Sequence, residues 1–83
     1  MIARQANKLK AALAEAFEAE VEAEKIAPGR YRFSIISPQF DQMPQLKRQD
    51  AAWKVVDRML TTEASIDISL ILTYAPHELE RAV

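Results

Sequence analysis

The chain has 83 residues, enough for one small domain. Its 49% hydrophobic and 28% charged residues argue for a folded core and against disorder. A net charge of −1 leaves no global field to draw nucleic acid or an anionic membrane. With no cysteine there are no disulfides, no thiolate nucleophile and no iron–sulfur ligation by the chain's own thiols.

The opening "MIARQANKLKAALAEAF" is charged and amphipathic and lacks the apolar block of a signal peptide. No stretch reaches the roughly 18 apolar residues of a membrane span, so no membrane is expected and a cytoplasmic location fits. Leu9, Leu13 and Phe17 recur every four residues, with Ile2, Ala6, Ala12 and Ala16 beside them. That stripe has the helical period, and neither Gly nor Pro interrupts it, so a helix is predicted over about residues 3–18. From Ala19, "AEVEAEKIA" sets Ala19, Val21 and Ala23 against Glu20, Glu22 and Glu24 with period 2. A half-buried edge strand fits, and so does a continued helix that would make residues 2–25 one rod; the strand is the expectation. "APGR" places the single glycine, Gly29, after Pro28, which suits a type II turn. "RYRFSIIS" alternates Tyr31, Phe33 and Ile35 with Arg32 and Ser34, so residues 20–27 and 30–37 should form a hairpin.

Pro38 and Pro44 bracket a loop. A helix is predicted from about residue 49 to 60, burying Ala52, Val55, Val56, Met59 and Leu60 and exposing Asp57 and Arg58. "TTEAS" breaks it. "IDISLILTY" is the most apolar strand, with Ile66, Ile68, Leu70 and Leu72 on one face and Ile71 on the other, a pattern that suggests a central strand covered on both sides. "APHELERAV" starts a short helix with Pro76 in its first turn. The order α-β-β-α-β-α predicts an α+β fold: a three-stranded mixed sheet with helices packed on it.

From Gly29 to Glu78 the chain resembles the BolA family, whose fold is akin to the type II KH domain. The family's Ser-x-x-Phe segment matches Ser37, Pro38, Gln39 and Phe40. A following leucine matches Leu46, and the Arg-His-Arg trio that opens the central helix falls on Arg48, Gln49 and Asp50. The family's last strand and its Thr-x-x-Pro ending match residues 68–72 and then Thr73, Tyr74, Ala75 and Pro76, with Glu78 as the acidic residue. The resemblance implies the fold, and with it a partner of monothiol glutaredoxin type that shares a two-iron two-sulfur cluster through His or Cys ligands. This sequence departs at those ligands. Gln42 replaces the turn glycine, Asp67 stands where the family has its histidine, and the hairpin loop "KIAPGRYR" carries neither histidine nor cysteine. An aspartate is a hard oxygen donor where such iron takes thiolate or imidazole, so no cofactor is expected.

Each remaining group of residues has a functional and a plainer reading. Phe40, Lys47, Arg48 and Gln49 are candidate contacts for a protein or a nucleic acid, because a helix start offers free N–H groups beside a cation. In the plainer reading Phe40 and Leu46 plug the core and the rest is solvated, while Asp50 favours the helix dipole and repels phosphate. Arg30, Arg32, Lys47, Arg48, Lys54 and Arg58 would make a basic side for single strands, but the glycine loop of KH domains is missing. His77, the single histidine, reads as an exposed residue more readily than as a metal ligand. Glu20, Glu22 and Glu24 read as a solvated strand face. Trp53 either flanks the core or anchors a partner. Asp67 and Tyr74 complete the candidate contacts. No base is arranged to activate a hydroxyl, so an enzyme is not expected. The sequence therefore points to a non-catalytic binding or adaptor protein with a protein partner, glutaredoxin-like if the resemblance extends that far. A weak single-stranded nucleic-acid binder, a transcription regulator, or a homo-oligomer built on Trp53 and an exposed strand face are the alternatives.

Overall fold

Burial of one side of each helix builds the core. In the computed structural model, which describes residues 1–81, α1 (Ala3–Phe17) buries Ala6, Leu9, Leu13 and Phe17. These are the four-residue repeat and its alanine neighbour. Ile2 and Ala16, expected on the same stripe, are exposed. Glu18 ends the helix in the left-handed region at φ 48°, and the chain reverses into a strand. β1 (Glu20–Ala27) and β2 (Arg30–Ile36) pair antiparallel from Glu20↔Ile36 to Ala27↔Arg30, with a register shift between Lys25 and Ala27. The period-2 segment is thus a strand, and the long-rod alternative is excluded. The turn between them puts Gly29 at φ 71°. Gly29→Ala is expected to cost about 1 kcal/mol through that backbone angle. Space is not the cause, because an added Cβ would meet nothing nearer than the Met1 nitrogen at 3.8 Å. A urea melt would show the loss as a lowered midpoint with unchanged slope.

After a 3-10 turn over Pro38–Phe40 comes α2 (Gln45–Met59), which starts four residues before the predicted residue 49. Its first turn, "QLKR", has no apolar periodicity to announce it. Pro44 opens the helix instead, its carbonyl accepting from Lys47 N–H at 3.0 Å and Arg48 N–H at 3.1 Å. Two core expectations are corrected here. Leu46 is 75% exposed, because it sits on the outer side of that extra turn, and Met59 at the last turn is also exposed. Asp50 now lies in the second turn, beyond the reach of the dipole argument. The expected break "TTEAS" is a short helix, α3 (Thr62–Ser65), capped by Thr61 Oγ1, which accepts Ala64 N–H at 3.1 Å.

β3 (Ile68–Tyr74) joins β2 in parallel, giving the order β1-β2-β3 and a mixed sheet. The most apolar strand is therefore at an edge, and β2 is central, contrary to the pattern-based expectation. The face assignment also changes. The pairing steps from Tyr31↔Ile68 to Arg32↔Leu70, so Ser69 is an extra residue and the alternation changes phase there. Ile68, Ile71 and Thr73 are buried, whereas Leu70 is exposed, and Ile66 precedes the strand at 63% exposure. α1 and α2 lie together on the buried face of the sheet. α4 (Pro76–Arg81) follows β3. The element order is that predicted, with α3 added before β3.

Candidate functional site

Of the candidate contacts at the start of α2, Phe40 and Arg48 are buried and Gln49 is half-buried, while Lys47 is exposed. Phe40 is fully buried, its ring 5.2 Å from that of Phe17. Arg48 is only 4% exposed: as the fourth residue of α2 it falls on the helix face that also buries Ala52 and Val55. Its guanidinium lies 5.7 Å from the Phe40 ring centroid. Nε donates to the Met43 carbonyl at 2.7 Å. The two terminal nitrogens donate to the Glu78 carboxylate at 2.7 and 3.3 Å, and one also reaches the Thr73 carbonyl at 3.4 Å. One fork therefore ties together the loop before α2, the end of β3 and the first turn of α4. The Ala75 N–H also donates to Glu78, at 2.7 Å.

Gln45, three residues before Arg48, and Gln49, the residue after it, extend this join. Gln49 donates to the Ile71 carbonyl at 2.9 Å. Gln45 donates to the Thr73 carbonyl at 3.3 Å and accepts from the Thr73 hydroxyl at 2.8 Å. The Tyr74 carbonyl points to β2, accepting Ser37 N–H at 2.9 Å, so alternation aims the Thr73 and Ile71 carbonyls away from the sheet. Side chains of α2 thus occupy acceptors that an edge strand would otherwise leave free. Ser37 works similarly at the other junction: its buried hydroxyl donates to the Phe17 carbonyl at 2.6 Å and accepts Gln39 N–H at 3.1 Å.

Hydrogen bonds from Arg48 and Ala75 hold the Glu78 carboxyl below the usual glutamate range. Because the folded pKa is the lower one, the contribution is full above the unfolded value, about 4.3, and is lost as pH falls through the folded value. The expected result is acid loosening of α4, seen as loss of the Ala75 and Glu78 amide signals once pH has fallen below the ordinary glutamate range. In Glu78→Gln that acid step should vanish.

The remaining candidates lie apart. Lys47 is exposed on the first turn of α2, and Trp53 is half-buried against the core. Tyr74 is half-buried at the end of β3. His77 is exposed, as expected, and pairs through Nδ1 with Asp41 at 2.8 Å. Asp67 is at the other end of β3. Its carbonyl accepts Tyr31 N–H at 2.9 Å, which sets it beside the hairpin turn, and its carboxylate meets the Met1 amine, which also donates to the Gly29 carbonyl at 3.2 Å. The seven residues of β3 put about 20 Å between Asp67 and His77. Among the described residues no three His, Cys, Asp or Glu side chains converge as metal ligands.

The cations weighed as a possible basic side do not all share one face. Arg48 is buried, Arg32 pairs with Glu24 on the sheet, and Lys47, Lys54 and Arg58 lie on α2, which packs on the opposite face of the sheet from Arg32. The sequence reading overlooked Gln45, whose only signal was its place three residues before Arg48. It also overlooked the order that the strand register imposes on the outer face of the sheet.

The same arrangement of elements occurs in solved structures. BolA1 from Arabidopsis thaliana aligns with a TM-score of 0.73 at 19% identity, over 93% of this chain and 98% of its own. The BolA domain of SufE1 from Arabidopsis thaliana gives 0.72 at 16% identity, over 94% and 99%. A bol-like protein from Babesia bovis gives 0.58 at 18% identity, over 99% and 94%. No protein-family model and no curated protein matches the sequence. The fold is BolA-like. No described helix is long and apolar enough to cross a membrane.

Proposed function

We propose that this chain is a single non-catalytic domain that binds a protein partner directly, without a shared iron–sulfur cluster. The observation that carries the reading is the donor set beside the hairpin turn. Asp67 offers oxygen alone, residues 25–30 supply no thiol or imidazole, and His77 lies at the far end of β3. These residues do not fit an iron–sulfur cluster, whose iron needs soft or borderline donors. The polar groups that look functional in the sequence, Arg48 and Gln49, serve to lock α2 and α4 to the sheet. The BolA domain of SufE1 is by its description one domain of that protein, which supports the use of this fold as a module joined to other domains.

The test is affinity capture from native extract, run with and without a chelator, with iron measured in the eluate. A stoichiometric partner retained in both arms supports the proposal. A partner lost on chelation, with iron in the untreated eluate, overturns it. Mixing the chain with a monothiol glutaredoxin, iron and sulfide should likewise give no cluster absorption beyond that of the glutaredoxin alone. The nucleic-acid alternative gains nothing from the arrangement of the cations. It would require salt-tolerant, sequence-dependent binding to an oligonucleotide.

A further inference from the structure

The strand register sorts the outer face of the sheet into rows. Opposite the helices, Glu24 pairs across to Arg32 and on to Leu70, Glu22 to Ser34 and Leu72, and Glu20 to Ile36 and Tyr74. β1 therefore carries a line of exposed carboxylates, and β3 a line of exposed or half-exposed apolar side chains. Glu24 is engaged by Arg32, but among the described residues neither Glu20 nor Glu22 has a cationic partner. Where these rows run toward α4 the surface deepens into a cleft of about 500 Å³. Ala19, Ile36, Pro38, Pro76 and Leu79 supply its apolar lining, and Glu18 and Glu20 line it as well.

We infer that this face binds an extended peptide segment of the partner, one that carries a large apolar side chain followed by lysine or arginine at alternate positions. The inference rests on the protein-binding reading above and adds the chemistry of the partner. Glu20 and Glu22 are two residues apart on a strand, so their side chains are spaced by about 7 Å. Alternate residues of an extended peptide have the same spacing and face the same way. Two cations of such a segment meet Glu20 and Glu22 in register, and the apolar residue two positions before them reaches the cleft beside Glu20. A second copy of this chain is a poorer occupant. Packing this face on itself about a two-fold axis sets carboxylates against carboxylates or buries them under Leu70 and Leu72, both of which are unfavourable. A nucleic acid would be repelled by the same carboxylates.

The experiment is an NMR titration of the isotope-labelled chain with an amidated probe peptide, SLSKSRS in one-letter code. Saturable shifts in residues 18–22, 34–38 and 74–79 are expected. The double variant Glu20→Gln with Glu22→Gln should raise Kd roughly fivefold, as two rim charge pairs allow, with an unchanged circular dichroism spectrum because both side chains are exposed. A probe with serine in place of leucine should bind several-fold more weakly. The assignment is overturned if no shift saturates, if the shifts map to α1 and α2, or if both the double variant and the serine probe bind as well as the originals. Native capture with the double variant separates the two proposals. A partner retained at full yield removes this docking face while sparing the protein-binding reading. Failure of the unaltered chain to capture any stoichiometric partner removes that reading.

Discussion

Arg48→Ala is expected to lower the unfolding free energy by about 3 kcal/mol, the range for breaking a buried charge pair whose partner retains some contact with water. Three acceptors on three segments each lose a donor at once: the Met43 carbonyl, the Thr73 carbonyl, which keeps Gln45, and the Glu78 carboxylate, which keeps the Ala75 N–H. The aliphatic stem and the guanidinium beside Phe40 are lost with them. Arg48→Lys should recover only part of the loss, because an ammonium group is a point donor and cannot span Glu78 and the Met43 carbonyl together. Chemical denaturation followed by Trp53 fluorescence measures both variants. An alanine variant that melts at the original midpoint would show that the fork contributes nothing to stability. Binding data on either variant need that melt beside them, since a weakened fold would look like a lost contact.

Phe40→Ala is expected to cost about 3–4 kcal/mol, the sum of lost burial and of a cavity that its neighbours fill incompletely. Phe40 is fully buried, and it stacks at a tilt on Phe17, joining the 3-10 turn to the end of α1. A domain of this length is stable by roughly 4–12 kcal/mol, so this one ring supports a large part of the margin. Phe40→Leu fills most of the volume and should cost about 1 kcal/mol. If Phe40 instead served a partner, the alanine variant would melt near the original midpoint and lose binding alone.

The sequence was most legible where burial is periodic and local. Leu9, Leu13 and Phe17 announced α1, and Tyr31, Phe33 and Ile35 announced β2, because each period reports one buried face. Gly29 announced its turn because few other residues tolerate that backbone angle. The start of α2 was hidden by its chemistry. Gln45 and Arg48 face the protein, but they satisfy polar acceptors instead of burying apolar surface, so hydropathy counts them as outside. The same blindness turned Arg48 into an apparent surface cation. The position of β3 at the edge was hidden for another reason. Its apolar residues reflect both the core beneath it and a partly exposed outer row, and a one-residue bulge at Ser69 breaks the alternation that would have told the two apart. Sequence alone showed what Asp67 is; the structure adds that it stands beside the hairpin turn and far from His77.

The polar caps that α2 places on the Ile71 and Thr73 carbonyls have a consequence for behaviour at high concentration. "SLILTY" combines β-branched, aliphatic and aromatic residues with no charge, the composition that stacks into cross-β fibrils when such a segment is left bare. Gln45, Arg48 and Gln49 act as a molecular guard along its outer side, denying an incoming chain the acceptors it would need to template growth. Fibril seeding should therefore begin only after α2 has lifted away, so its onset on heating would follow the loosening of that one helix and precede complete melting of the sheet.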